Sequence, residues 1–371
     1  MKTPPETVSC GVKELWRAKL KERFSEMIVA SSLFSIPGTN VVTGCEDGMA
    51  RIYQVAGKGE GLDIKPKLEL ETKSGPIQCL AVHDITRFYN SDLIVGDSCG
   101  VLTMFCNRLI LSRQSLTSDK DCINCVTVIQ DNDNIPVVVC CSDSGVITAV
   151  RPNKLLWRLD LKNTNLPVES KRIASFAVKV TCLLGYYMTD VCGNKRLYLL
   201  AADDAKRIHV ISKGVIVRCI PTPVNITAMC QGRIISAHKL EPYIPGEESP
   251  EGEQVALGGD NGAVFILDKF EVSVPPNLQV TDEYINAQSP ITRLKCLPQP
   301  ESNTDLLLCA GHFNALQMYK DGLVLMEFET SAWVISIDLA DVNEDGTDEI
   351  LISCMDNTVA ALKLTYSETA S

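Results

Sequence analysis

The 371-residue sequence has no run approaching the roughly 18 uninterrupted apolar residues that a membrane span needs. Its first residues, MKTPPETVS, lack the apolar stretch of a secretory signal. Basic residues are in deficit: 35 Lys and Arg against 46 Asp and Glu give a formal net charge of −11. That balance argues against a nucleic-acid backbone as ligand, because phosphate binding concentrates Lys and Arg. Histidine is scarce, and His83, His209, His238 and His312 fall on unrelated segments. No P-loop or H-E-x-x-H occurs, and the one G-x-S-x-G, Gly96-Asp-Ser-Cys-Gly100, falls in a repeat hairpin between two apolar runs and not at a strand-to-helix elbow. Gly57-Lys-Gly-Glu-Gly61 is glycine-rich, but Lys65-Pro-Lys67 follows in place of a helix, so it reads as a solvated loop. Cys122 and Cys125 form one CxxC without the second pair that a tetrahedral zinc site requires. These absences leave the expectation of a non-enzymatic protein with no cofactor. It is expected to be soluble and cytoplasmic, with the nucleus also open, and to keep its sixteen cysteines reduced.

What the sequence does contain is a repeat. Three or four apolar residues, a small residue, a polar turn and a second apolar run recur at Val41 (VVTGCEDGMARIY), Leu93 (LIVGDSCGVLTMF), Val137 (VVVCCSDSGVITAV) and Leu197 (LYLLAADDAKRIHV). Further copies begin at Val255 (VALGGDNGAVFIL), Leu306 (LLLCAGHFNALQMY) and Ile350 (ILISCMDNTVAAL). Aligned on the last turn residue they fall at Gly48, Gly100, Gly145, Ala205, Gly262, Asn314 and Thr358, at intervals of 52, 45, 60, 57, 52 and 44 residues. Periods of this size belong to propeller blades or solenoids. Each copy reads as a strand hairpin, with Gly supplying positive φ at the turn and Asn314 as a substitute. Ala205 and Thr358 fit that role poorly, so those turns are expected to differ in type.

A shorter alternating element precedes each hairpin: Ile28-Val-Ala-Ser, Ile77-Gln-Cys-Leu, Ile123-Asn-Cys-Val, Val180-Thr-Cys-Leu, Ile226-Thr-Ala-Met, Ile291-Thr-Arg-Leu and Val334-Ile-Ser-Ile. Its third position holds Ala30, Cys79, Cys125, Cys182, Ala228, Arg293 and Ser336, small in six of seven copies, as crowding around an axis requires. Cys141 and Cys354 fill the small-residue slot that Gly44, Gly96, Ala201, Gly258 and Ala310 fill elsewhere, so these thiols read as packing. Arg293 breaks the pattern and is placed to project into a central channel, where it binds an anion or pairs with a neighbouring carboxylate. An outer strand follows, clearest at Lys154–Lys162, Gly214–Ile220 and Gly322–Phe328. Lys13–Lys21 (KELWRAKLK) matches Lys154–Lys162 (KLLWRLDLK) at six of nine positions, yet no inner strand precedes it, and the seventh repeat has no outer strand of its own. The prediction is an all-β fold, a seven-bladed β-propeller of four-stranded antiparallel blades whose ring is closed by the N-terminal strand. Its blades are expected at about 24–73, 74–118, 119–164, 165–222, 223–288, 289–330 and 331–365 plus 11–23, with flexible tails at 1–10 and 366–371.

The sharpest local motif is Asp341-Val-Asn-Glu-Asp-Gly-Thr-Asp-Glu349. Oxygen groups at alternate positions with Gly346 at the bend can converge on Ca²⁺, with Asp341, Asn343, Asp345, the Thr347 carbonyl and Glu349 as ligands. Alternatively, the segment is an Asx-rich turn that bonds its own backbone. The loop and the Glu-Ile-Leu-Ile after it resemble the FG-GAP type of propeller repeat found in integrin α heads. The Leu-Leu-Trp outer strand and the VGDSCG and LGGDNG hairpins are similar to the cytosolic FG-GAP/WD-like propellers, which include kaptin and the propeller subunits of the Bardet–Biedl syndrome complex. The resemblance implies a scaffold in a multi-protein cytosolic complex, of the ciliary-trafficking or nutrient-signalling type at the lysosome surface. It implies protein partners and a monomeric propeller within a hetero-complex, without membrane insertion. A calcium-binding adhesion propeller and a channel-centred enzyme are the alternatives. The long intervals mark insertions at Thr164–Ala174 and His238–Gln254. The second carries Glu241, Glu247, Glu248, Glu251 and Glu253 and is a candidate partner-docking loop.

Overall fold

The computed structural model describes residues 9–117, 121–131, 133–163, 178–189, 195–235, 254–271, 277–280, 282–299 and 302–367. Short Val-, Ile- and Leu-rich runs, each closed by a polar or glycine turn, fold into strands that form seven antiparallel sheets. Six sheets have four strands, and the fifth in chain order carries an additional two-residue strand, Ile285–Asn286. The innermost strands of blades 1 to 7 are Phe24–Ser31, Ile77–His83, Ile123–Gln130, Val180–Thr189, Ile226–Gly232, Ile291–Leu297 and Val334–Ala340. Each packs against the next, and the seventh packs against the first, so the ring is closed.

Closure uses the N-terminal strand, as the repeat pattern predicts. Ser9–Lys19 pairs with Thr358–Ser367 as the outer strand of blade 7, from Ser9 opposite Ser367 to Lys19 opposite Thr358. The expected tails therefore begin further out: Cys10 and Tyr366 are register partners, while 1–8 and 368–371 lie outside the described residues. The core lies between blades. Second strands such as Pro136–Ser142 and Leu306–Gly311 are buried on both faces, which explains their unbroken apolar runs. Outer strands such as Lys154–Asp160 are half-exposed and read as mixed.

Register explains the small residues. In every blade the inner strand is bulged between its first and third residues. The third residues are Glu26, Cys79, Cys125, Cys182, Ala228, Arg293 and Ser336, opposite Gly44, Gly96, Cys141, Ala202, Gly258, Ala310 and Ser353. This corrects three sequence assignments. Blade 1 opens at Phe24 and not at Ile28, so Glu26 holds the place assigned to Ala30, and the slots assigned to Ala201 and Cys354 belong to Ala202 and Ser353. The opposing slot is small because a β-branched residue of the next blade fills it. A Cβ on Gly44 would meet Ile77 Cγ2 at 2.4 Å, and one on Gly258 would meet Ile291 Cγ2 at 2.7 Å.

The hairpin turns are also more uniform than the sequence indicates. Gly48, Gly100, Gly145 and Gly262 take positive φ as expected, and in blades 4 and 7 the same place is held by Lys206 (φ 59°) and Asn357 (φ 66°). Ala205 and Thr358 are each one residue out of alignment, and Asn314 does not adopt positive φ.

Candidate functional site

Three places in the ring gather chemistry: the axis, the acidic loop of blade 7, and one broad face. At the axis, Arg293 of blade 6 reaches past blade 7 to Glu26 of blade 1, with Nη2 to Oε2 at 3.1 Å. Ser336 of blade 7 lies between them and donates its hydroxyl to Glu26 Oε1 at 2.7 Å while accepting the Met27 N–H at 3.0 Å. Along the same strands, Lys295 pairs with Asp338 at 2.9 Å, and Asp338 accepts the Val29 N–H at 2.8 Å. Of the two roles open to Arg293, the structure shows the carboxylate pairing. Each acid is matched by a base or a backbone donor from a neighbouring blade, so the network braces blades 6, 7 and 1, where the chain ends meet.

The opposite arc of the axis holds thiols. Cys79 and Cys125 direct their Sγ at the Ile123 and Thr181 carbonyls of the following blades, both at 3.5 Å. Burial pushes the Cys79 thiol well up, and it pushes Cys140 beside it up to about 12. Neutral buried thiols such as Cys79 and Cys140 are poor nucleophiles and poor ligands, whereas a hydrogen bond with Cys141 lowers the pKa of Cys125. Fourteen cysteines among the described residues, from Cys45 to Cys354, are free. Among the described residues, no group of three or more His, Cys, Asp or Glu side chains is arranged to hold a metal ion.

The acidic loop bonds to itself. Asp341 accepts the N–H groups of Asp345 at 3.1 Å and Gly346 at 2.8 Å. Asn343 Oδ1 accepts the Asp345 N–H at 2.9 Å, and Asp345 Oδ1 accepts the Thr347 N–H at 3.0 Å. Glu349 is 1% exposed and accepts from Val342 N at 3.0 Å and Asn343 Nδ2 at 2.7 Å. The Lys363 ammonium sits between two of these carboxylates, paired with Asp345 and 3.4 Å from Glu349. Hydrogen bonds from Lys363 and Thr347 hold the Asp345 carboxyl well below its ordinary range, whereas burial pushes Glu349 up. Gly346 (φ 86°) and Glu344 (φ 62°) make the bend.

The third place is a face. In a meandering four-stranded blade, the first-to-second and third-to-fourth connections leave from one end, and the remaining connections leave from the other. Among the described residues, ten of the twelve exposed large apolar side chains belong to the first end. Phe88, Tyr89 and Tyr187 stand at first-to-second connections. Ile64, Leu109, Ile110, Leu155, Val215, Leu323 and Val324 stand at third-to-fourth connections, and only Trp333 and Met355 stand at the opposite end. These tips are built rigidly. Asn107-Arg108, Lys213-Gly214 and Asp321-Gly322 are two-residue turns with both φ positive, the hairpin type that matches strand twist. Asp84 accepts the Phe88 and Tyr89 N–H groups at 3.0 and 2.8 Å, which holds those rings out to solvent at 72% and 97% exposure. Between blades 3 and 4 the face opens into a cavity of about 670 Å³, lined among others by Trp157, Leu156, Tyr198, Arg151, Arg196 and Lys213.

Of the residues singled out in the sequence, Arg293 lies on the innermost strand of blade 6, and the Asp341–Glu349 loop lies on the apolar face. Glu241, Glu247, Glu248, Glu251 and Glu253 lie outside the described residues, as does the 164–174 insertion. Sequence reasoning missed Glu26 and the apolar face. The face could have been found by noting an aliphatic residue beside Arg or Lys at successive outer turns, as in Arg108-Leu109 and Lys154-Leu155.

No protein-family model matches the sequence, and no curated protein sequence matches it. Solved structures do. The chain is similar to BBS1N crystallised in complex with ARL6DN and soaked with mercury, at a TM-score of 0.66 and 11% identity, covering 98% of this chain and 100% of that one. A lead-soaked crystal of the same complex gives 0.66 and 12%, covering 96% and 98%. The WD40 β-propeller domain of Doa1 gives 0.62 and 12%, covering 95% and 97%. The likeness to BBS and WD-type propellers implied by the hairpin motifs is thus met at the level of fold.

Proposed function

We propose that this chain is a non-catalytic protein-interaction scaffold that works as one subunit of a hetero-complex. The observation that carries the reading is the gathering of exposed apolar side chains on one face, on turns whose backbones are already fixed. Ordering costs are then small when a partner docks, and a patch of this kind marks an interaction surface. The described BBS1N structures hold a second protein, which supports the same class of role here. The charged groups at the axis are spent on one another, which favours a scaffold over channel chemistry. No helix among the described residues is long and apolar enough to cross a membrane.

The finer reading follows the family resemblance. The complex is cytosolic, of the ciliary-trafficking or nutrient-signalling type, and any association with cilium or lysosome runs through partners. The Asp341–Glu349 loop acts in this reading as a structural turn with Lys363 as its cation, and calcium is not required. Affinity purification of the tagged full-length chain, followed by mass spectrometry, tests the proposal. Stoichiometric co-purifying subunits are expected, and a chain that elutes alone from every cell type expressing it defeats the scaffold reading.

A further inference from the structure

The apolar face is not uniform in charge. On a chain of net charge −11, Lys67 of blade 1 pairs with Asp63 and Lys363 of blade 7 pairs with Asp345. Blades 2 and 3 present unpaired cations beside apolar tips. Arg87, Arg108 and Lys154 are exposed and make no ion pair, and each sits beside an exposed apolar residue: Phe88, Leu109 and Leu155 in turn. In blade 2, Asp84 is turned onto backbone N–H groups and Asp92 accepts from Thr86. The tips are joined into one surface. Cys106 Sγ lies 3.9 Å from Thr86 Oγ1, linking the two connections of blade 2, and Asn153 N donates to Ser112 Oγ at 3.2 Å, linking blade 2 to blade 3. Leu155 then leads directly into Leu156 and Trp157, which line the 670 Å³ cavity between blades 3 and 4. At the cavity Asp131 is spent on Arg151, while Lys213 is exposed and unpaired.

We propose that this belt, from Arg87 and Tyr89 across Leu109 and Leu155 to the cavity beside Trp157, is the docking site for an acidic peptide segment of a partner protein. The segment places a bulky apolar side chain in the cavity and carboxylates against Arg87, Arg108 and Lys154. Charge complementarity selects this occupant: unpaired cations on an otherwise acidic protein call for an anionic ligand, and the interleaved aliphatic and aromatic tips call for apolar groups at short spacing. The same face argues against an anionic bilayer, because its blade 7 connection exposes Glu344 and Asp348. A flat membrane would bring lipid headgroups against both of them, whereas a peptide touches one sector.

The inference rests on the scaffold reading and names its surface and its partner's chemistry. The test is selection of a random twelve-residue peptide library on the folded full-length chain, with affinities of enriched peptides measured by fluorescence anisotropy. Enriched sequences are expected to combine Asp or Glu with Phe, Trp or Leu and to weaken as salt rises. The R87E/R108E/K154E triple variant should bind them roughly tenfold or more weakly. Phe88→Ser with Tyr89→Ser should weaken binding too, and Trp333→Ser on the opposite face should not. All these positions are exposed, and an unchanged circular dichroism melt verifies the fold. The inference is overturned if no acidic–apolar peptide is enriched, if the triple variant binds as wild type does, or if phosphatidylserine vesicles bind wild type while peptides do not. In cells, a triple variant that keeps every co-purifying subunit sinks the docking site but leaves the scaffold standing. A wild-type chain that elutes alone sinks the scaffold.

Discussion

Replacing Trp16 tests ring closure most directly. Trp16 lies on the N-terminal strand opposite Ala361, is 7% exposed, and packs with Phe24, Met27, Val41 and Tyr53 of blade 1 and with Leu351 and Val359 of blade 7. It therefore joins the last blade to the first. Truncation of a buried Trp to Ala costs about 3–5 kcal/mol. One term works the other way: the indole Nε1 is buried without a hydrogen-bond partner, and leaving a donor unsatisfied costs about 1–3 kcal/mol that the truncated protein no longer bears. The net expectation for Trp16→Ala, taking the middle of each range, is a loss of about 2 kcal/mol, a sizeable share of the 5–15 kcal/mol typical of a folded protein. Trp16→Phe keeps most of the apolar surface and removes the orphan donor, so it should stay within about 1 kcal/mol of wild type. Urea denaturation followed by far-ultraviolet circular dichroism measures both, and hydrogen exchange at Val359–Leu362 should accelerate first in the Ala variant. A Trp16→Ala loss below about 1 kcal/mol, or a Phe variant as damaged as the Ala one, would refute the argument that this side chain holds the ring shut.

At the axis, a double-mutant cycle of Glu26→Gln and Arg293→Ala should return a coupling of about 1 kcal/mol, and a value near zero would make the pair incidental. Titration calorimetry with Ca²⁺ should give no binding heat for the wild-type chain, and heat that Asp345→Ala abolishes would restore a calcium site. Asp203 is fully buried against Arg207 and His209, at 2.8 Å from each. Burial alone would raise its pKa, but the hydrogen bonds from His209 and Arg207 outweigh burial and hold the carboxyl below its ordinary value. Its stabilising contribution is thus complete above the unfolded pKa of about 3.9 and is lost as pH falls through the folded pKa. The stability gap between wild type and Asp203→Asn should accordingly narrow on acidification, and a gap that is constant with pH would contradict the assignment.

The blade count, strand order and closure were legible because they rest on apolar patterning and on one matched pair of outer strands, KELWRAKLK and KLLWRLDLK. Position along a strand was less legible. Phe24-Ser-Glu-Met departs from the Ile/Val-x-small pattern that five of its six counterparts follow, and Ile28-Val-Ala-Ser four residues on imitates that pattern better. The register that settles the matter depends on a bulge the one-dimensional sequence does not display. Glu26 was hidden for that reason, and with it the partner of Arg293. The apolar face escaped for a different reason. Isolated exposed residues such as Leu109 and Val215 are unremarkable one at a time, and only the meander brings them to the same end of the ring.

The register pairing of Ser9 with Ser367 also fixes an order of events during synthesis. Of the ring's strands, Ser9–Lys19 is made earliest and must wait longest, since its partner Thr358–Ser367 is made latest. Until then Ser9–Lys19 is an unclaimed strand edge, and the interfaces of blades 7 and 1 are open. The entropic cost of joining such distant segments grows only logarithmically with their separation, so it weighs little on the finished ring. The exposure falls on the nascent chain, which carries an open edge until Thr358–Ser367 is made and can close its ring only then.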